Sequence, residues 1–232
     1  VASIPHSSTA MSSDKGQVMK LLVFLGSVRQ STPPRPARLG ERVAKACAAQ
    51  LVRARADVEI IDPLNLEPQS VFKPHFAYAA GRAPESLEVL SNKIRDADGY
   101  VMVSPEYNHS MSPALADLLN HFGSSSFSFK PSAIATYSAG QWGGARAAVN
   151  MRTYLSELGC LPVSAMIHVP KAQDVFDEKG RYLEGVDADK WDGYIGRTLR
   201  QLTWWAEAAH RQRQQAIATE AFAKDPSQRN AP

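Results

Sequence analysis

An α/β fold is predicted, a doubly wound parallel sheet of five strands with helices on both faces, and three observations predict it. Short apolar runs alternate along the chain with longer amphipathic stretches, the pattern of repeated strand–helix units. The first run, KLLVFLG (Lys20 to Gly26), is apolar without alternation, as a strand covered on both faces must be. The turns after the first, third and fourth runs are GSVRQSTPPRPAR, SPEYNHSMSP and SAGQWGGAR, all rich in Gly, Pro, Ser or Asn. In such sheets ligands bind beyond the carboxyl ends of the strands, where those turns would lie.

The elements follow in order. After the first strand, ARLGERVAKACAAQLVRA places Leu39, Val43, Ala46, Cys47 and Leu51 at helical spacing. DVEIIDP is a second strand stopped by Pro63, and a loop-rich stretch punctuated by Pro68, Pro74, Gly81 and Pro84 leads to the helix PESLEVLSNKIRDA. DGYVMVSPEY is the third strand. SPALADLLNHF is a helix in which Ser112 can cap and Pro113 fits the first turn. KPSAIATYSAG is the fourth strand, GGARAAVNMRTYLSELG a helix closed by Gly159, and CLPVSAMIHVP the fifth strand. A last helix covers Asp187 to Gln215. Residues 1–18 read as a flexible N-terminal tail, 19–215 as one domain and 216–232 as a polar C-terminal tail.

The 232 residues suffice for one domain with a proper core, and the net charge of +3 is too small to argue for nucleic acid. Two cysteines, Cys47 and Cys160, sit in apolar surroundings and read as buried thiols in a reducing compartment. No apolar stretch approaches the ~20 residues that span a bilayer, and the first residues lack the apolar region of a secretory signal. The expectation is a cytoplasmic protein with neither membrane nor nucleic-acid partner. The six histidines show no metal-ligand spacing.

The three turns carry the chemistry. The first supplies Ser27 and Arg29 directly after the strand, then backbone donors at Gln30, Ser31 and Thr32 ahead of Pro33, Pro34 and Pro36. Hydroxyls, an arginine and free N–H groups before a helix suit an anion, and the prolines would stiffen the loop. The dinucleotide fingerprint GxGxxG is absent, so a phosphate monoester such as FMN fits better than a pyrophosphate. In the second turn Tyr107 is placed to pack beside a flat ring, with the amides of Glu106 to Asn108 at its edge. The third turn has three glycines in five positions, Gly140, Gly143 and Gly144, permitting close backbone approach to a ligand. Trp142 reads either as a wall over that ligand or as an interface contact.

Taken together, these residues resemble the NADPH-dependent FMN reductase family, flavodoxin-like quinone, azo-dye and chromate reductases. The resemblance rests on GSVR (Gly26 to Arg29), RLGERVA (Arg38 to Ala44), PEYN with its following Pro and Leu-rich helix, and SAGQWGGARAAVNMRTYL, and it covers Lys20 to Pro170. It implies a flavodoxin-like fold and an FMN phosphate held by Ser27, Arg29 and Arg38, with Thr32 also a candidate. One edge of the ring would meet Pro105, Glu106, Tyr107 and Asn108. The other would meet Ser138, Ala139, Gly140, Gly143 and Gly144. Two departures stand out: QSTPPRPA (Gln30 to Ala37) looks inserted, and the helix after PEYN reads LADLLNHF.

The implied activity is hydride transfer from NADPH to FMN, then two electrons on to a quinone, free flavin, azo compound or metal oxyanion. The flavin would carry the chemistry and no side chain need be a nucleophile. A homodimer or homotetramer is expected. Two other readings fit the same turns: a flavodoxin-type electron carrier without NADPH oxidation, and a regulatory or scaffold protein sensing flavin redox state.

Overall fold

A computed structural model describes residues 18–29, 38–67 and 71–216. The expected tails therefore lie almost wholly outside the described residues, as do Gln30 to Ala37 and, with them, Thr32 and the three prolines. The elements are β1 (Lys20–Leu25), α1 (Leu39–Arg53), β2 (Asp57–Ile61), α2 (Glu85–Asp96), β3 (Gly99–Pro105), α3 (Pro113–Asn120), β4 (Pro131–Tyr137), α4 (Ala145–Glu157), β5 (Leu161–Pro162), β6 (Ile167–Val169), α5 (Ala172–Val175) and α6 (Ala188–Ala216). Every pairing between strands is parallel, in the order β2-β1-β3-β4-β5, with β6 also on β4. The order reverses between β1 and β3, the flavodoxin-like switch point, so the turns after those strands meet at one rim.

Alternate strand residues face opposite layers. Leu21, Val23 and Leu25 of β1, with Val101, Val103, Ala133 and Ala135, pack against Val43, Cys47 and Leu51 of α1 and Ile195, Leu199 and Leu202 of α6. Leu22, Phe24, Tyr100, Met102 and Ile134 pack against Leu90 and Ile94 of α2, Leu115 and Leu119 of α3, and Met151 and Leu155 of α4. This two-sided burial is why β1 reads as an unbroken apolar run. Cys47 and Cys160 are free and buried, as expected. No described helix is long and apolar enough to cross a membrane.

The fifth strand departs from the expectation of one continuous run. Leu161 stands opposite Pro131 but Ile167 opposite Ala135, so six steps along one strand match four along its neighbour and two residues are surplus. The physical reason lies in the local sequence and its supports. Pro162 has no N–H for a ladder. Val163 N–H still donates to Ser132 O at 2.9 Å, and the chain then swings out through Ser164 and Ala165. The detour is held from both sides: Arg152 donates to Val163 O at 2.9 Å, while Gln201 Oε1 accepts from Ser164 Oγ at 2.9 Å and Ala165 N–H at 3.1 Å.

Away from the rim, Lys130 closes the opposite end of the sheet. It is buried, and its ammonium donates to Ile94 O at 2.7 Å, Arg95 O at 2.6 Å and Ser126 O at 3.2 Å. Two of those acceptors are carbonyls of the last turn of α2, which lack partners within the helix. Beside it the buried Asp98 accepts from Lys20 N–H at 3.0 Å, His210 Nδ1 at 2.7 Å and Arg213 at 2.8 Å, tying α6 to the sheet.

Burial, reinforced by the nearby Arg213, pulls the Lys130 ammonium down to about 7 from an ordinary value of 10.5. Between those values the unfolded chain binds more protons than the folded one, so stability rises with pH. Above pH 9.0 the sign turns, because burial pushes the Cys47 and Cys160 thiols up to about 12 and only the unfolded chain releases their protons. The urea midpoint is therefore expected to climb from about pH 7 to about pH 9. Lys130→Met should flatten that climb, and a midpoint falling over the same range in the unaltered chain would contradict the assignment.

Candidate functional site at the carboxyl rim of the sheet

The rim begins with Gly26, whose N–H donates to Val103 O at 2.7 Å. A Cβ there would stand 2.6 Å from Val103 O and 2.9 Å from Leu115 Cβ, so only glycine lets the turn pass this close to α3. The expected cap of α3 is present: Ser112 Oγ accepts from Leu115 N–H at 3.1 Å, with Pro113 in the first turn. The same hydroxyl donates to Gly26 O at 2.5 Å, so one serine caps the helix and anchors the turn after β1.

Within that turn Ser27 is buried while Val28 and Arg29 are exposed. Arg38 was expected at a phosphate, but the structure gives its terminal nitrogens other partners. They bind Asp62 through both carboxylate oxygens, at 2.7 and 3.0 Å, and donate to Ser27 O. The acid is the residue before Pro63 at the end of β2, so strand order brings it beside the turn after β1. Arg38 Nε is buried and has no partner among the described residues. Tyr137, the last residue of β4, closes the back of the turn. Burial pushes its phenol up to about 12, partly offset by bonding to Ser27 and Gly40.

After β3 the chain folds into a tight two-residue hairpin. Tyr107 N–H donates to Ser110 O at 3.0 Å and Ser110 N–H to Tyr107 O at 2.9 Å, with φ of 49° at Asn108 and 62° at His109. Two left-handed residues in succession make this a type I′ turn, and Asn and His are among the side chains that tolerate that region. Asn150 of α4 donates to His109 O. Tyr107 is 47% exposed, its ring free at the rim. Its amide is spent inside the hairpin, which corrects the expectation that it would face a ligand.

The side chain of Glu106 is committed within the fold. Its carboxylate accepts from Arg146 N–H at 3.2 Å and Ala147 N–H at 3.4 Å and pairs with the Arg146 guanidinium at 3.3 Å. It therefore caps α4, a helix start with no acid of its own in the first turn. Because α4 follows the glycine-rich turn, this contact clamps the turn after β3 to the turn after β4.

The turn after β4 folds back on itself. Ser138 Oγ donates to Gly140 O at 2.8 Å and accepts from Gly143 N–H at 2.9 Å. Lys171 N–H donates to Gly140 O at 2.8 Å, and Gln173 Nε2 to Ala139 O at 3.0 Å. Gly144 has φ of 77°, and a Cβ there would stand 2.8 Å from Thr136 Cβ. The carbonyls of Ala139, Gly140 and Trp142 thus have donors, while the amides of Ala139, Gly140, Gln141 and Trp142 meet no acceptor among the described residues. Trp142 is 63% exposed, with the Arg146 guanidinium 5.4 Å from its ring centre.

Of the residues singled out from sequence, the structure places Ser27, Arg29, Pro105 to Asn108 and Ser138 to Gly144 along this rim; Thr32 lies outside the described residues. Sequence reasoning missed Asp62 and Tyr137, although each stands at or just beyond the carboxyl end of a strand, the position that signals a rim residue. Among the described residues no group of three His, Cys, Asp or Glu could hold a metal.

Comparison with known proteins adds the following. A family model described as NADPH-dependent FMN reductase matches residues 19–174. An NAD(P)H-dependent FMN reductase of Pseudomonas aeruginosa is 35% identical over 132 residues, which cover 55% of this chain and 69% of that protein. A quinone reductase of Escherichia coli is 32% identical over 123 residues, 52% of this chain and 58% of that protein. The structure of FerB, a flavoenzyme NAD(P)H:(acceptor) oxidoreductase from Paracoccus denitrificans, superposes with a TM-score of 0.61 at 21% identity, covering 81% of this chain and 97% of that one, a likeness in fold.

The Glu106 clamp has a measurable signature. Glu106→Ala removes a helix cap and is expected to cost about 1 kcal/mol of stability by urea unfolding. Glu106→Gln, which keeps an acceptor oxygen but no charge, should cost less. Equal stability of all three proteins would show that the contact contributes nothing.

Proposed function

The chain belongs to the NADPH-dependent FMN reductase family, and from that premise we propose that it binds FMN across the three rim turns and reduces a small-molecule acceptor at the expense of NADPH. The observation that carries this reading is the row of amides from Ala139 to Trp142 with no acceptor among the described residues, in a turn whose Ala139 and Gly140 carbonyls already have donors. The cradle suits a flat ligand with acceptor atoms at its edge: the space beside Gly140 is open, and Tyr107 stands exposed at the same rim.

When bound, FMN supplies the two-electron chemistry, taking hydride from NADPH and giving electrons to the acceptor. The chain's own groups position and polarise. The amides of the turn after β4 are fixed donors suited to a ligand edge that gains negative charge. Ser27 and Arg29 hold the phosphate, Arg29 being exposed at the turn. Arg38 acts as a brace: bound to Asp62 and to Ser27 O, it sets the path of the phosphate turn rather than supplying charge to it. Glu106 keeps the second and third turns in register.

The acceptor is a quinone, free flavin, azo compound or metal oxyanion, and the protein works in the cytoplasm as a homodimer or homotetramer. Purified protein should take up FMN, and anaerobic NADPH should bleach its visible absorbance within seconds. Steady-state kinetics with a quinone should be ping-pong. Arg29→Ala should weaken FMN binding about tenfold, as loss of a charge-assisted hydrogen bond requires. FMN uptake without bleaching would leave an electron carrier, and failure to take up FMN would overturn the reading altogether.

A further inference from the structure

A shallow, open groove of about 400 Å³ lies between the two surplus residues after β5 and α6. Its walls carry more donors than acceptors. Gln201 Oε1 must face Ala165 N–H, because a backbone N–H only donates, and it also takes the Ser164 hydroxyl. The Gln201 Nε2 amide is thereby left turned away, with no acceptor among the described residues. The Tyr194 hydroxyl accepts from His168 N–H at 2.9 Å, which fixes the ring and leaves its own proton without a recorded acceptor. Arg197 lies with its guanidinium 5.7 Å from the centre of the Tyr194 ring and pairs with no carboxylate among the described residues. No Asp or Glu lines the groove.

We propose that this groove is a binding site for a small carboxylate. Three side-chain donors around one opening, with no acid to satisfy them, call for an anion. Arg197 is the one fixed positive charge on the lining, since burial holds the His168 imidazole below its ordinary value and so neutral near pH 7. One guanidinium fork and two neutral donors match a two-oxygen monoanion better than a phosphate dianion.

Tyr194, Arg197 and Gln201 all lie beyond residues 19–174, the part of the chain that matches the family. The groove's three donors thus come from the helix that follows the matched region, and the proposal stands whether or not the rim binds FMN. Val169 N and His168 Cβ lie 3.1 and 3.2 Å from where a Cβ on Gly143 would be, so the groove backs onto the glycine-rich turn.

The test is calorimetric titration of the full-length protein, as purified, with benzoate and separately with inorganic phosphate. Benzoate is expected to bind and phosphate to bind at least about tenfold more weakly. Arg197→Ala should weaken benzoate about tenfold or more, and Gln201→Glu, which keeps the contacts to Ser164 and Ala165 but adds a negative charge, should abolish binding. Arg200→Ala, one turn along α6 and outside the lining, should leave it unchanged. Absence of benzoate binding at millimolar concentration, binding undiminished in Arg197→Ala, or preference for phosphate would each overturn the assignment. Circular dichroism of every variant separates loss of the site from loss of the fold.

Discussion

One carboxylate joins parts of the rim that the chain keeps far apart. Glu106 follows β3, yet it satisfies the first amides of α4 and pairs with Arg146, forty positions later. A helix start with unmet N–H groups attracts an anion. Here a side chain of the fold takes that place, and the amides left open are those of the preceding turn instead. The amides without an acceptor among the described residues, Ala139 to Trp142, thus precede the helix start rather than form it. Asp62 does the corresponding job on the other side of the rim, where it draws in Arg38 and fixes the carbonyl of Ser27.

The parallel sheet was legible because burial on both faces forces apolar residues at successive positions, and Lys20 to Leu25 could hardly be anything else. The cap at Ser112 was legible because its determinants are local: a hydroxyl, then proline in the first turn. The broken fifth strand was not, since CLPVSAMIHVP has strand composition throughout and its detour depends on Arg152 and Gln201 arriving from two different helices. The fate of Arg38 was hidden for the same reason. Its neighbours in sequence suggest an anion site, whereas its partner comes from the end of β2.

The site combines inherited and particular features. Residues 19–174 carry the family's turns and the switch point of the sheet. The helix that follows is tied to the sheet by Asp98 at one end and by Gln201 along its length, so it is part of the domain rather than an appendage. It contributes Ile195, Leu199 and Leu202 to the core, packs Tyr194 against it and leaves Arg197 exposed.

The surplus pair after β5 has a consequence for how copies of this molecule can meet. A regular border strand offers a row of unpaired backbone groups on which another sheet can grow. Here that border is interrupted between Pro162 and Ile167, and the opposite border, β2, turns Asp57 and Glu59 to the solvent. Among the described residues, neither margin offers a long, uncharged template for continuing the sheet from one molecule into the next.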